Sequence, residues 1–182
     1  MREPTERDVK KDIVLEKCFN CMTQKGIEGI SVKDFSESTG MSASSLYYWF
    51  EDKDEIVLDA VQWGLNKNVN DIFDFAFKHT DNLNELAKGI IEIAIDRKAE
   101  FRLIFQIATS PQYGEHVRQL TEKLDNIYHR YTEVLTEKLN ISFEKLYPYV
   151  NLVVSVFVDS VIWEDWGKLE RELNCIIELM KK

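Results

Sequence analysis

Between Ser42 and Trp49 the chain places Ser42, Ser44, Ser45, Tyr47, Tyr48 and Trp49 almost side by side. Hydroxyls and aromatic edges packed this densely suit hydrogen bonding and surface contact. They do not form a catalytic set. His79, His116 and His129 stand far apart, with no E-x-x-H or H-x-x-x-H spacing. No Ser-His-Asp arrangement, Gly-rich phosphate loop or carboxylate-histidine repeat occurs, so an enzymatic reading has little to stand on. Cys18 and Cys21 form a C-x-x-C, which elsewhere marks redox or metal chemistry. A zinc site needs two further ligands, and the remaining cysteine, Cys175, is remote. Buried, apolar-like thiols are the better reading, with no metal and no cofactor.

The elements that must hold the serines and aromatics are legible in the flanking residues. Ser31 with Asp34 three positions on is a capping box, opening a short helix through Thr39. Gly40 supplies the left-handed residue that ends it, and Met41 packs the turn. Ser42 caps a second helix, Ala43 to Phe50, whose Ala43, Ser44 and Ser45 leave one end slim. Asp52 with Glu55 signals another cap, so a third helix starts at Lys53. Leu46 and Phe50, four apart, make the buried side. Tyr47, Tyr48 and Trp49 are consecutive and point in three directions. Short helix, Gly turn and slim-ended helix describe a DNA-binding helix-turn-helix.

Val14 to Val61 resembles the N-terminal domain of tetracycline-repressor-type (TetR family) transcriptional regulators. Gly26, Ser31-Val32, Gly40-Met41-Ser42, Leu46-Tyr47, Phe50, Lys53 and Ile56 stand in register with the family pattern. Phe35-Ser36 replace a usual Ile-Ala, Ser44 a common Gly and Trp49 a common His. The resemblance implies DNA contacts from Lys33, Ser44, Ser45, Tyr47, Tyr48, Trp49 and Lys53. Tyr47 would meet a phosphate and Trp49 the backbone, while Ser44, Ser45 and Tyr48 face base edges. Lys33 would reach a base or phosphate, and Lys53 sits at a helix N-terminus.

The charge balance runs the other way. The formal net charge is −9. Residues 1 to 60 carry eight Lys/Arg against thirteen Asp/Glu, so the reading head is itself acidic. Phosphate neutralisation drives most nonspecific affinity, so weak nonspecific binding through few ionic contacts is expected. A positive face could come from Lys10, Lys11, Lys33 and Lys53.

At 182 residues, with 45% apolar and 30% charged residues, the chain can bury a substantial core. No apolar run approaches the roughly 20 residues of a membrane span; the longest, Val150 to Trp163, is broken by Ser155, Asp159 and Ser160. The polar start MREPTERDVKKD predicts no leader, and three cysteines with no targeting segment predict a cytoplasmic location.

Nearly everything between Pro4, Pro111, Pro148 and the glycines has helical period, so the fold is predicted to be all-α. The spacing predicts helices over Glu6 to Lys25, Lys53 to about Phe77, Leu83 to Asp96 or Arg97 after an Asp81 or Asn82 cap, and Glu100 to Ala108. A long helix follows from about Tyr113 to Leu139, with Val117, Leu120, Leu124, Ile127, Tyr131 and Val134 on one face. The next begins with Pro148 in its first turn and runs to Trp166. Gly167 divides it from a last helix bearing Leu169, Leu173, Ile176, Ile177 and Met180. Residues 1–52 are expected to form a three-helix DNA-binding domain, and 53–182 a helical effector-binding and dimerisation domain.

The helix Pro148 to Trp166 has two apolar stripes: Val150, Val154, Phe157, Val161, and Leu152, Val156, Trp163, Trp166. A helix apolar on two sides must be covered on two sides, which a homodimer through a four-helix bundle provides. Two heads then read a palindromic operator in double-stranded DNA. The resemblance further implies a small-molecule effector site, expected among Trp63, Phe77, Phe101, Phe105, Tyr128, Tyr131 and Asp159, in a region dense in aromatics. Asp159, an acid inside an apolar stripe, could pair with an Arg across a dimer, cap a ligand amine, or emerge at the interface edge. The reading is therefore a ligand-released repressor with no membrane role. A helical ligand-binding or interaction protein without operator affinity is the alternative.

Overall fold

The structure, a computed structural model, describes residues 5–181, except for the side chains of 118 and 120–123. Among the described residues there are helices and no strands, as the periodicity predicts. They are α1 (Glu6–Lys25), α2 (Val32–Thr39), α3 (Ala43–Leu46), α4 (Lys53–Lys78), α5 (Leu83–Asp96), α6 (Lys98–Thr109), α7 (Gly114–Leu139), α8 (Phe143–Trp163) and α9 (Trp166–Met180). Leu120, expected on the apolar face of α7, lies outside the described side chains.

Two compact units result. The first runs through Asn68 and also takes in Leu103–Val117; the second comprises Val69–Arg102 and the chain from Arg118 onward.

In the first unit, α1 packs on α2 and α2 on α3. Cys18, Phe19, Met22, Phe35, Leu46, Phe50, Ile56, Val57, Ala60 and Val61 are all at most 2% exposed and form one apolar centre. Gly64 is required by this packing. A Cβ there would lie 2.3 Å from Cε2 of Phe19, whose ring is itself held edge-on by Trp63 at 6.1 Å. The connection after α6 also belongs here. Tyr113, 5% exposed, donates from its hydroxyl to Oδ1 of Asp54 at 2.7 Å. Gln112 Nε2 donates to Oδ2 of the same carboxylate at 3.0 Å. Residues 112–113 thus tie down the first turn of α4.

In the second unit α9 packs against both α5 and α8. Ala94, Val161, Leu169, Leu173 and Ile176 are at its centre. Phe73 stacks on Tyr131 with centroids 4.4 Å apart and rings nearly parallel.

Three expectations about α8 need correcting. It starts at Phe143, not at Pro148, which lies inside it. The carbonyl that Pro148 leaves unbonded is that of Glu144, in the exposed first turn, where it is open to solvent. The helix also ends at Trp163 rather than Trp166, and Gly167 is inside α9. The break falls on Glu164, in the left-handed region at φ 51°. Its carboxylate accepts from Arg102 Nη1 at 2.6 Å and Lys98 Nζ at 3.3 Å, which offsets the cost of a non-glycine residue there. Finally, the earlier start makes α8 a 21-residue helix with a stretch of mean hydropathy 1.5. Among the described residues it alone is long and apolar enough to cross a membrane. Leu146, Val156, Phe157 and Val161 of α8 are buried within the protein.

Candidate DNA-reading surface

The local chemistry around the turn forms as its sequence requires. Ser31 Oγ accepts from Asp34 N at 3.3 Å while the Asp34 carboxylate accepts from Ser31 N at 2.9 Å, closing the capping box. Lys25 also bonds to Asp34. That contact, with those from Ser31, holds the carboxyl well below the ordinary range. Gly40 sits in the left-handed region at φ 75° and donates to Ser36 O at 2.9 Å. Ser42 then caps α3 by accepting from Ser45 N at 3.1 Å. Its hydroxyl also meets those of Ser44 and Ser45 at 2.9 and 2.8 Å.

α3 is shorter than expected. The helix ends at Leu46, although Tyr47 N and Tyr48 N still donate four residues back, to Ala43 O at 3.0 Å and Ser44 O at 3.2 Å. Beyond it Trp49 N donates to Leu46 O at 2.8 Å, three residues back, and Phe50 N to the same oxygen at 3.0 Å. Leu46 and Phe50, four apart, both reach the core, at 0% and 2% exposure. Ser44, Ser45, Tyr47 and Tyr48 are left in solvent, with Tyr48 73% exposed. One side of the segment is therefore all core, and the other all hydroxyl and aromatic.

Lys33 is exposed and only loosely paired with Glu37 at 3.9 Å. Lys53 is half-buried and donates to Ile30 O at 3.4 Å, bracing the loop before α2. Trp49 is half-buried, edge-on to Tyr48 at 5.9 Å. Beside both rings lies a cation the sequence reading did not single out: Arg7 of α1, its guanidinium carbon 5.4 Å from the Trp49 centroid and 6.0 Å from that of Tyr48. No local motif marks it, because ring and cation are far apart in the chain.

Residues 14–60 match the profile of the family described as bacterial regulatory proteins, tetR family. This segment is a TetR-family helix-turn-helix domain. Over 149 residues the chain is 22% identical to the biofilm operon icaADBC HTH-type negative transcriptional regulator IcaR of Staphylococcus epidermidis, covering 79% of this chain and 78% of that protein. With the IcaR of Staphylococcus aureus strain Newman the identity is 23% over 121 residues, and the match spans 64% of that protein. A putative TetR-family regulator from Rhodococcus sp. shares the fold, with a TM-score of 0.63 at 15% identity over 96% of this chain and all of the other. A transcriptional regulator from Aquifex aeolicus VF5 gives 0.62 at 15%, covering 93% and 98%. Lys33, Ser44, Ser45, Tyr47, Tyr48, Trp49 and Lys53 all lie within the matched segment.

The residues expected at an effector site are distributed over both units. Trp63 and Phe105 belong to the first, where Trp63 packs on Phe19. Phe77, Phe101, Tyr128, Tyr131 and Asp159 belong to the second. Phe101 is buried edge-on to Phe157 at 4.8 Å. Tyr128 and Tyr131 both meet Phe73, at 5.8 and 4.4 Å, and burial raises both phenol pKa values. Phe77 carries Lys138 Nζ over its ring at 3.7 Å. Asp159 accepts from Lys168 Nζ of α9 at 2.6 Å, so this acid has a partner within its own chain.

The C-x-x-C is inert as built. Cys18 is fully buried and its thiol is pushed up to about 12, by burial first and then by Cys21. Cys21 is also buried and raised, while Cys175 is exposed. Since the thiolate is the reactive form, Cys18 and Cys21 should resist an alkylating reagent at pH 8 until the protein unfolds. Mass spectrometry after brief alkylation checks this; modification of either in the native protein contradicts it.

Proposed function

We propose that this protein is a repressor that binds a palindromic operator as a homodimer in the cytoplasm and is released by a small-molecule effector. The observation that supports operator reading most strongly is the division of the recognition segment. Leu46 and Phe50 are buried, while Ser44, Ser45, Tyr47 and Tyr48 are exposed on the opposite side. Nothing in the core requires that set of side chains. Hydroxyls and aromatic edges of this kind meet donors, acceptors and thymine methyls in the major groove. The likeness to IcaR, a negative regulator, favours repression.

Dimerisation is supported by α8. Leu152, Ile162 and Trp163 are 44%, 46% and 75% exposed, an apolar surface left after α9 and α5 have covered the other side. A second copy of the same face would cover it.

Effector release requires the ligand to prefer the state that does not bind DNA. Phe77, Phe101, Tyr128 and Tyr131, all in the second unit, remain the proposed aromatic lining. The bonds from Gln112 and Tyr113 to Asp54 offer a route, because any displacement of residues 112–113 pulls on the turn that starts α4.

Substitutions in the recognition segment separate reading from positioning. Ser45→Ala and Tyr48→Ala should each change which bases are preferred at particular operator positions, by about 1 kcal/mol or more per base pair. Tyr47→Phe should instead weaken all sequences alike, since a phosphate contact carries no sequence information. Competition binding against single-base operator variants reads both. Unchanged preferences for Ser45→Ala and Tyr48→Ala, or altered preferences for Tyr47→Phe, would refute the assigned roles.

A further inference from the structure

We propose that Arg7, on the first turn of α1, is a phosphate-contacting residue of this head, held in place by the rings of Tyr48 and Trp49. The inference rests on the DNA-reading function above and assigns its main ionic contact.

The cations near the recognition segment are mostly committed. Lys11 holds Asp59 at 2.8 Å, Lys25 holds Asp34, and Lys10 holds Glu6 at 2.7 Å. Lys17 and Lys53 donate to the backbone oxygens of Thr39 and Ile30. The segment 42–50 itself contains no Lys or Arg. Arg7 differs from all of these. Among the described residues it bonds to no carboxylate, and what it meets is the two rings.

The acids beside it are occupied: Asp8 closes the capping box with Thr5, and Glu6 takes Lys10. Thr5, Glu6, Arg7, Lys10, Tyr48 and Trp49 together line an open depression next to the exposed face of α3. A guanidinium held beside aromatic rings by cation–π attraction keeps N–H groups free to take a phosphate oxygen pair. An acidic head needs such a group, because each neutralised phosphate adds to affinity and to its salt dependence. The ring pair explains why the cation is an arginine and not another lysine: lysine stacks less well and binds as a point charge.

The test is fluorescence anisotropy with two labelled duplexes, one carrying the sequence selected by the wild-type protein and one of random sequence. Titrations are run across a range of KCl concentrations on the full chain. For Arg7→Ala the slope of log affinity against log salt should fall by about 2 per dimer, one phosphate per protomer at ~0.9 each. Affinity for both duplexes should fall together. Arg7→Lys should keep most of the slope while losing affinity. Trp49→Leu should weaken binding in the wild type and have much less effect in the Arg7→Ala background. Circular dichroism melts confirm that the exposed substitutions leave the fold intact. Wild-type slope and affinity for Arg7→Ala would overturn the inference and leave the DNA-reading function standing. Failure of the wild type to bind either duplex would overturn both.

Discussion

Replacing Trp163 and Leu152 together by glutamate should convert the protein to a monomer and weaken operator binding by about 100-fold or more, because the second head loses its effective concentration. Trp163 is 75% exposed and Leu152 44% exposed within one chain, so the change removes little intrachain core. Surface substitutions of this kind alter folding stability by only about 0.5 kcal/mol. Two carboxylates facing two more across a symmetric α8 contact would be desolvated next to like charges, which is prohibitive. Trp163 is well placed for an anchoring role. It ends α8 immediately before Glu164, whose carboxylate is fixed by Lys98 and Arg102. Analytical ultracentrifugation at micromolar concentration reads the mass. A double variant that remains dimeric would move the interface away from this face of α8.

The second large effect is on folding. Gly64→Ala should cost about 2 kcal/mol, as overpacking does in a core that cannot yield. In a chain of this size that lowers the melting temperature by roughly 4–8 °C. The added methyl would sit 2.3–2.6 Å from three carbons of the Phe19 ring. That ring is 1% exposed and is blocked by Trp63, so it has little room to turn aside. Phe19→Leu in the same chain should recover part of the loss, since the shorter side chain clears the new Cβ. If Gly64→Ala melts like the wild type, the close approach of Phe19 to Gly64 described above is wrong. Gly89 offers a contrast. Its added Cβ would meet Phe75, but that ring is only half-buried and has more freedom to shift.

What could be read directly in the sequence was what local chemistry decides. The Ser31–Asp34 box, the Gly40 left-handed cap and the Ser42 cap each lie within four residues of the groups they satisfy, and all three formed as expected. Leu46 and Phe50 announced the buried side by their spacing. The misreadings share a different cause. Gly167 looked like the break after α8, because glycine is the usual left-handed residue. Glu164 took that role because Lys98 and Arg102, distant in the chain, stabilise its carboxylate. Pro148 looked like a helix start, yet the carbonyl it orphans is exposed and the helix runs through it. Arg7 carried no signal of its own, since its meaning depends on rings that only folding brings alongside.

The most direct test of the central claim is selection from a pool of random duplexes by the purified full chain, at low and at moderate salt. The expected result is enrichment of a palindrome whose half-sites lie about one helical turn or more apart, persisting at moderate salt because base contacts rather than bulk charge carry the affinity. No enrichment at either salt would contradict the account and favour a helical ligand-binding protein that no longer reads DNA.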